Sequence, residues 1–238
     1  MLPTETTLPS DLRTATIVPR VLRRIRAKGL VPTLRRVSFL LYELYWERRL
    51  GIDTADCIPR EFLSEDPASI GYDPIGYVQL ALALRNADLS SPTGTFIDYG
   101  CGKARVLARA SQLPFERIVG VELSSDLCDE ARANIARLSP RTTCKEIKVV
   151  NTNAKQFVVP DDTKNIFLFN PFTGHVLEGV VEQIRQSLER QPRDLTILYI
   201  LPSASADIFS QQEWMKSTFQ HSWNGLKLHV YRIHSPQN

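Results

Sequence analysis

Apolar positions along this chain recur with two periods that take turns. Runs rich in β-branched and aromatic residues, Thr95–Ile97, Ile118–Glu122, Glu146–Val150, Asn165–Phe169 and Leu195–Leu201, read as strands. The last is almost continuously apolar, as expected of a strand buried on both faces of a parallel sheet. Helical spacing fills the intervals: Tyr77, Leu80, Ala81 and Leu84; then 103–111; then Leu127, Ala131, Ile135 and Leu138; then Val176, Val180, Ile184 and Leu188. Asp73 and Pro74 predict the N-cap and first residue of the helix through Tyr77, and Ser124 or Ser125 the cap of the one through Leu127. A short helix is predicted around 204–209. Two strand-like runs follow, Ser217–Trp223 and Leu226–Ile233, joined by Asn224-Gly225, a strong hairpin signal.

Upstream, residues 1–17 are polar and are expected to be loosely ordered. A basic helix is predicted from Pro19 to Gly29. A second runs from Pro32 to about Leu50, with Leu34, Val37, Leu41 and Leu44 at steps of three and four, and Gly51 stops it. Residues 51–72 carry loop chemistry, with Pro59, Pro67 and Gly71.

The most informative stretch is Asp98-Tyr99-Gly100-Cys101-Gly102-Lys103-Ala104-Arg105. A strand ending in an acid, a turn with alternating glycines and a helix start form the layout of a nucleotide-binding βα unit. Glycine suits a turn where backbone must approach a ligand closely, and the N–H groups opening the helix can hold an anion. A dinucleotide fingerprint would put a third glycine where Arg105 stands. The next strand ends in Glu122, a carboxylate able to accept hydrogen bonds from ribose hydroxyls. Taken alone, Glu122 is equally a solvated acid at a strand end.

Composition changes this picture little. An apolar fraction of 43% and a charged fraction of 23% are ordinary for a globular protein. The net charge of +3 hides an asymmetry: ten Lys/Arg against four acids give residues 1–50 a balance of +6, leaving −3 for the rest. That fits a basic arm for nucleic acid, a membrane-surface helix, or the solvated face of capping helices; the last is favoured. Four cysteines (Cys57, Cys101, Cys128, Cys144) show no metal-ligand spacing and read as reduced thiols, and no metal site is expected. Without an apolar run long enough to span a bilayer, or a signal peptide, a cytoplasmic protein is expected.

Asp-x-Gly-x-Gly with an acid on the next strand resembles motif I of class I S-adenosylmethionine (SAM) dependent methyltransferases, whose third glycine would fall at Ala104. Asn170-Pro171-Phe172, directly after a strand, resembles the Asn/Asp-Pro-Pro-aromatic motif of amino-group methyltransferases with one proline missing. Gly51-Ile52-Asp53-Thr54, Gly71-Tyr72-Asp73-Pro74 and Gly102-Lys103-Ala104-Arg105 resemble segments of a poorly characterised bacterial group in that class. The resemblance implies a Rossmann-like, doubly wound sheet of about seven strands with a terminal antiparallel hairpin, residues 71–238 forming the methyltransferase domain and 1–70 a helical extension. It implies in-line methyl transfer from SAM, leaving S-adenosylhomocysteine, to a small-molecule or protein acceptor, with an amine nitrogen in view. Asp98, Tyr99, Gly100, Cys101, Gly102, Lys103 and Leu123 would cradle the cofactor, with Glu122 on its ribose. Asn153, Ala154 and Asn170 would meet the rest of it; an acid commonly stands where Asn153 is, and an Asn carbonyl oxygen still accepts a hydrogen bond. Tyr72, Asn170, Pro171 and Phe172 would surround the acceptor, and His175 could act as a base, although a surface histidine at a helix start is the simpler reading. Two alternatives stay open: a nucleic-acid methyltransferase using the basic N-terminal helices, and a non-catalytic module that holds SAM or a nucleotide.

Overall fold

A computed structural model describes residues 23, 25–27, 29–86, 94–138 and 142–234. The chain divides into two compact units, Met1–Trp46 and Glu47–Asn238. Most of the basic helix expected from Pro19, and the polar stretch before it, lie outside the described residues. The helix expected from Pro32 is α1, Leu30–Leu50, which runs from the first unit into the second.

In the second unit, α2 (Tyr77–Arg85) leads into β1 (Thr95–Tyr99). There follow α3 (Arg105–Ala110), β2 (Arg117–Glu122), α4 (Ser125–Ala136), β3 (Glu146–Asn151) and β4 (Thr163–Phe169). Then α5 (Gly174–Arg190), β5 (Leu195–Pro202), β6 (Lys216–Trp223) and β7 (Leu226–Ile233) complete it. The seven strands form one sheet in the order β3-β2-β1-β4-β5-β7-β6, all parallel except β7, which runs antiparallel to both neighbours. Asn224 and Gly225 both take positive φ, 45° and 81°, at the hairpin, as a tight turn matched to strand twist requires.

The two faces of the sheet bury alternate residues, which is why its central strands read as unbroken apolar runs. Ile97, Val119, Ile166 and Ile197 pack under Val176, Val180 and Ile184 of α5. Phe96, Ile118, Phe167 and Leu198 pack under Leu80 of α2, Leu107 of α3 and Ala131 of α4. Strand order reverses between β1 and β4, so their C-terminal ends diverge there and leave a crevice.

Three expected elements differ. The helix predicted from Asp73-Pro74 starts only at Tyr77, with Gly76 as N-cap in extended backbone. Tyr72 is bridged to Ile58, holding the chain extended, and a residue preceding proline is disfavoured in helical backbone. Asp73 instead accepts from the Cys57 thiol at 3.3 Å. Likewise α3 starts at Arg105, because Gly102 (φ 50°) and Ala104 (φ 72°) are left-handed. The helix around 204–209 is a single 3-10 turn, Phe209–Gln211. At α4, Ser124 is the cap, its side chain accepting from Leu127 N–H at 3.3 Å.

Candidate functional site

The crevice is a cleft of about 290 Å³, at the lower edge of small-ligand sites. Of the residues expected around a ligand it is lined by Tyr72, Asp98, Gly100, Cys101, Glu122 and Leu123, and by Asn153, Ala154, Asn170, Pro171 and Phe172. They come from the ends of four neighbouring strands and from the 63–75 segment, which the Ser69–Phe172 bridge and the bond from Thr173 N–H to the Ala68 carbonyl attach to the Asn-Pro-Phe loop.

Glu122 organises the first half. Its Oε2 accepts from Gly102 N–H at 3.0 Å, and its Oε1 from the N–H groups of Leu123 and Ser124 at 2.8 and 3.0 Å. A carboxylate has about four acceptor positions, so three are taken and one remains for a ligand, fewer than two ribose hydroxyls would use. Burial raises its pKa, against the pull of those three N–H groups. The carboxyl of Asp98, a residue 3% exposed, has no hydrogen-bond partner among the described residues, and burial, then the nearby Glu122, push its pKa well above the ordinary carboxylate range. A buried, lone carboxyl on a cleft wall is stabilised by a cation or donor brought from outside.

The glycines are needed for a reason the sequence does not express. A Cβ on Gly100 (φ 73°) would lie 2.4 Å from Pro171 Cβ, and one on Gly102 would lie 2.2 Å from the Tyr72 ring. Close packing by the chain's own Pro171 and Tyr72 therefore excludes side chains here. Tyr72 is accordingly a cover: its hydroxyl donates to the Thr54 carbonyl at 2.8 Å, and burial raises the phenol pKa. Both features make it a poor proton acceptor.

Four expected residues lie outside the lining. Tyr99, the last residue of β1, is fully buried, edge-to-face with Phe157 and Phe172. Gly102 turns its N–H to Glu122. Lys103 points away, its Nζ 2.8 Å from Glu130 and 3.3 Å from Asp56, and 5.8 Å from the centre of the Tyr72 ring. His175 sits at the start of α5, its side chain 55% exposed and its Nε2 3.5 Å from Asp66. Asn153 lines the cleft while its Oδ1 accepts from Lys155 N–H at 3.2 Å, capping the Ala154–Gln156 turn. Asn170, at φ 40°, donates its N–H to the Ile200 carbonyl at 2.8 Å, and its side-chain amide has no partner among the described residues.

What the sequence reading missed is the framework beneath the turn. Arg105, 4% exposed, donates Nε to Thr54 Oγ1 at 2.7 Å and an Nη to the Ile75 carbonyl at 2.8 Å. Its other Nη pairs with Glu47 at 3.1 Å, and its guanidinium lies 4.6 Å from the centre of the Tyr77 ring. Glu47 also accepts from Thr54 N–H and Oγ1 and from the Tyr77 hydroxyl. Asn134 of α4 closes the network, donating to the carbonyls of Asp53 and Lys103 and accepting from Asp53 N–H. The Gly-Ile-Asp-Thr segment is thus a brace for the glycine turn. Asp66, Asp73, Pro202 and Leu226 also line the cleft without a signal in the local sequence, because loop closure and sheet order bring them there.

No protein-family model and no curated protein matches the chain. Among solved structures, it is similar to an RNA methyltransferase from Salinibacter ruber in complex with S-adenosyl-L-homocysteine: TM-score 0.51, 17% identity, 70% of this chain and 97% of that one covered. It is similar also to a SAM dependent methyltransferase from Aquifex aeolicus, at TM-score 0.50 and 15% identity over 65% of this chain and 89% of that one. At such identities the likeness is one of fold: the seven-stranded, Rossmann-like sheet with its antiparallel hairpin.

Proposed function

We propose that this protein is a SAM-dependent methyltransferase, with residues 71–238 as the methyltransferase domain and 1–70 as its extension. The observation that carries the reading is Glu122: a partly buried carboxyl on the strand beside β1 that ties down the glycine turn and keeps one acceptor position at the cleft. The residues fit an adenosyl ligand bearing positive charge. Glu122 would accept from a ribose hydroxyl, the backbone of Gly100 and Cys101 would run beside the ligand, Asn153 and Ala154 would meet its base, and the lone Asp98 would take a donor or cation. Bound there, SAM supplies a methyl group on a sulfonium centre, and the work of the chain is to align an acceptor with it, for which positioning is worth roughly 7–11 kcal/mol.

The acceptor would sit in the cleft beside Asn170-Pro171-Phe172 and the 63–73 segment. Asp66 and Asp73 line the cleft, whereas the lining Arg105 is committed to Glu47, Thr54 and Ile75. Such a lining favours a neutral or cationic amine, small or protein-borne, over a polyanion. The unpartnered amide of Asn170 is the group best suited to hold an amine hydrogen.

Calorimetric titration with SAM, S-adenosylhomocysteine, NAD and FAD tests the cofactor. SAM and its product are expected to bind, and Glu122→Gln to weaken both by about tenfold or more, the scale of a hydrogen bond to a charged group. Heat from a nicotinamide or flavin, or none from SAM, would sink the reading. Methyl-labelled SAM with fractionated cell extract then identifies the acceptor.

A further inference from the structure

The first unit carries a surface that the cleft does not use. Of the eleven large hydrophobic side chains that stand exposed among the described residues, six lie on α1: Leu30, Val31, Leu34, Leu40, Leu41 and Tyr45, each at least half exposed. At about 100° per residue, Leu30, Leu34, Leu41 and Tyr45 fall within about 60° of one another. They form a stripe along the helix. Arg35 and Arg36 flank it, and Arg48 and Arg49 close its C-terminal end. Tyr45 on the stripe, backed edge-to-face by Trp46, is a ring with an apolar body and a polar tip, the kind that collects at membrane interfaces. Residues 1–50 carry +6 in all, against −3 for the remainder.

From this we infer that α1 docks on an anionic phospholipid surface, lying in the interface plane with its stripe turned to the acyl region and its arginines at the headgroups. The helix does not cross the bilayer: no described helix is long and apolar enough to do so. Apolar area supplies part of such binding and attraction between arginine and anionic headgroup the rest, so both are required. A second copy of the chain is a poorer occupant. The exposed apolar positions spread over about half the helix circumference, wider than a two-helix seam, and like charges at Arg35, Arg36, Arg48 and Arg49 would meet across it.

The full chain is co-sedimented with vesicles of phosphatidylcholine alone and of phosphatidylcholine with phosphatidylglycerol. Pelleting is expected with the anionic vesicles only, and is expected to fall as salt rises. Arg35→Glu/Arg36→Glu and, separately, Leu34→Asp/Leu41→Asp should each weaken it by about tenfold or more, with circular dichroism and SAM titration unchanged. The Arg pair is exposed, so a folding failure of the Leu pair leaves the wild-type vesicle comparison and the Arg variant to decide. The inference is overturned by equal pelleting with neutral vesicles, or by wild-type pelleting of the Arg variant. It is equally overturned if anionic vesicles leave the chain in solution while it forms a dimer that Leu34→Asp/Leu41→Asp breaks, or while it shifts duplex DNA or RNA in a salt-dependent way.

Discussion

The glycine turn has two sides, and they are built on opposite terms. Beneath it, Arg105 and Lys103 have their charges met by Glu47, and by Glu130 and Asp56, and each named donor has its acceptor. On the cleft side, Asp98 is a buried carboxyl without a partner, Glu122 keeps one acceptor position, and the Asn170 amide is unmatched. Burying an unpaired polar group costs free energy. The turn is therefore held firmly on its braced side and is incomplete on the side where a ligand would complete it.

The braced side should break hardest. Arg105→Leu leaves Glu47 buried without its cation and is expected to cost about 3–5 kcal/mol in urea denaturation. Lys103→Met should cost about 1 kcal/mol or less, because Asp56 and Glu130 are 70% and 47% exposed and are rehydrated when the lysine goes. Equal losses at the two positions would mean that the brace is not specifically the Arg105 network.

The open side should respond in the opposite direction. Because the Asp98 pKa is raised in the fold, the folded chain binds that proton more tightly than the unfolded one. Its contribution to stability is fully present below the ordinary Asp range and is lost as pH rises through the raised value. Asp98→Asn is therefore expected to stabilise the cofactor-free chain at neutral pH and to flatten its stability profile above about pH 4, while weakening SAM. Denaturation across a pH series checks this, and a variant less stable at every pH would mean that the carboxyl is already satisfied in the fold. The smallest effect is expected at Ala104, where the two sides join. Ala104→Gly relieves a left-handed alanine, worth about 1–2 kcal/mol, but removes a buried methyl worth about 0.8 kcal/mol and adds unfolded-state entropy of similar size. The net change in denaturation midpoint should be close to zero, and a large gain would show that the methyl packs poorly.

Much of this was legible in order along the chain. The period-2 and period-3.6 apolar runs predict every strand of the sheet and the helices between them, and Asn224-Gly225 predicts the hairpin. Gly100, Gly102 and Glu122 stand out because left-handed backbone and strand-end acids leave local marks. The start of α2 was not legible. Asp73-Pro74 is a good cap by local chemistry, and it lost to the Ile58–Tyr72 bridge, which joins residues that no local pattern relates. Tyr72, read as part of the acceptor site, lines the cleft, and no local pattern shows that its hydroxyl is held by Thr54 and its ring covers Gly102.

By itself the sequence determined the elements, their order and the turn between β1 and α3, because each depends on neighbours within a few positions. Tertiary structure alone decided that Lys103 and Arg105, side by side with two glycines, have their charges met by Glu130 and Asp56 and by Glu47. It also decided that Pro171 fills the space above Gly100, and that Asp66, Asp73, Pro202 and Leu226 line one cleft. Those outcomes depend on which strand ends lie side by side and on whether a partner tens of residues away reaches a charge before water does. Chain order does not encode either one.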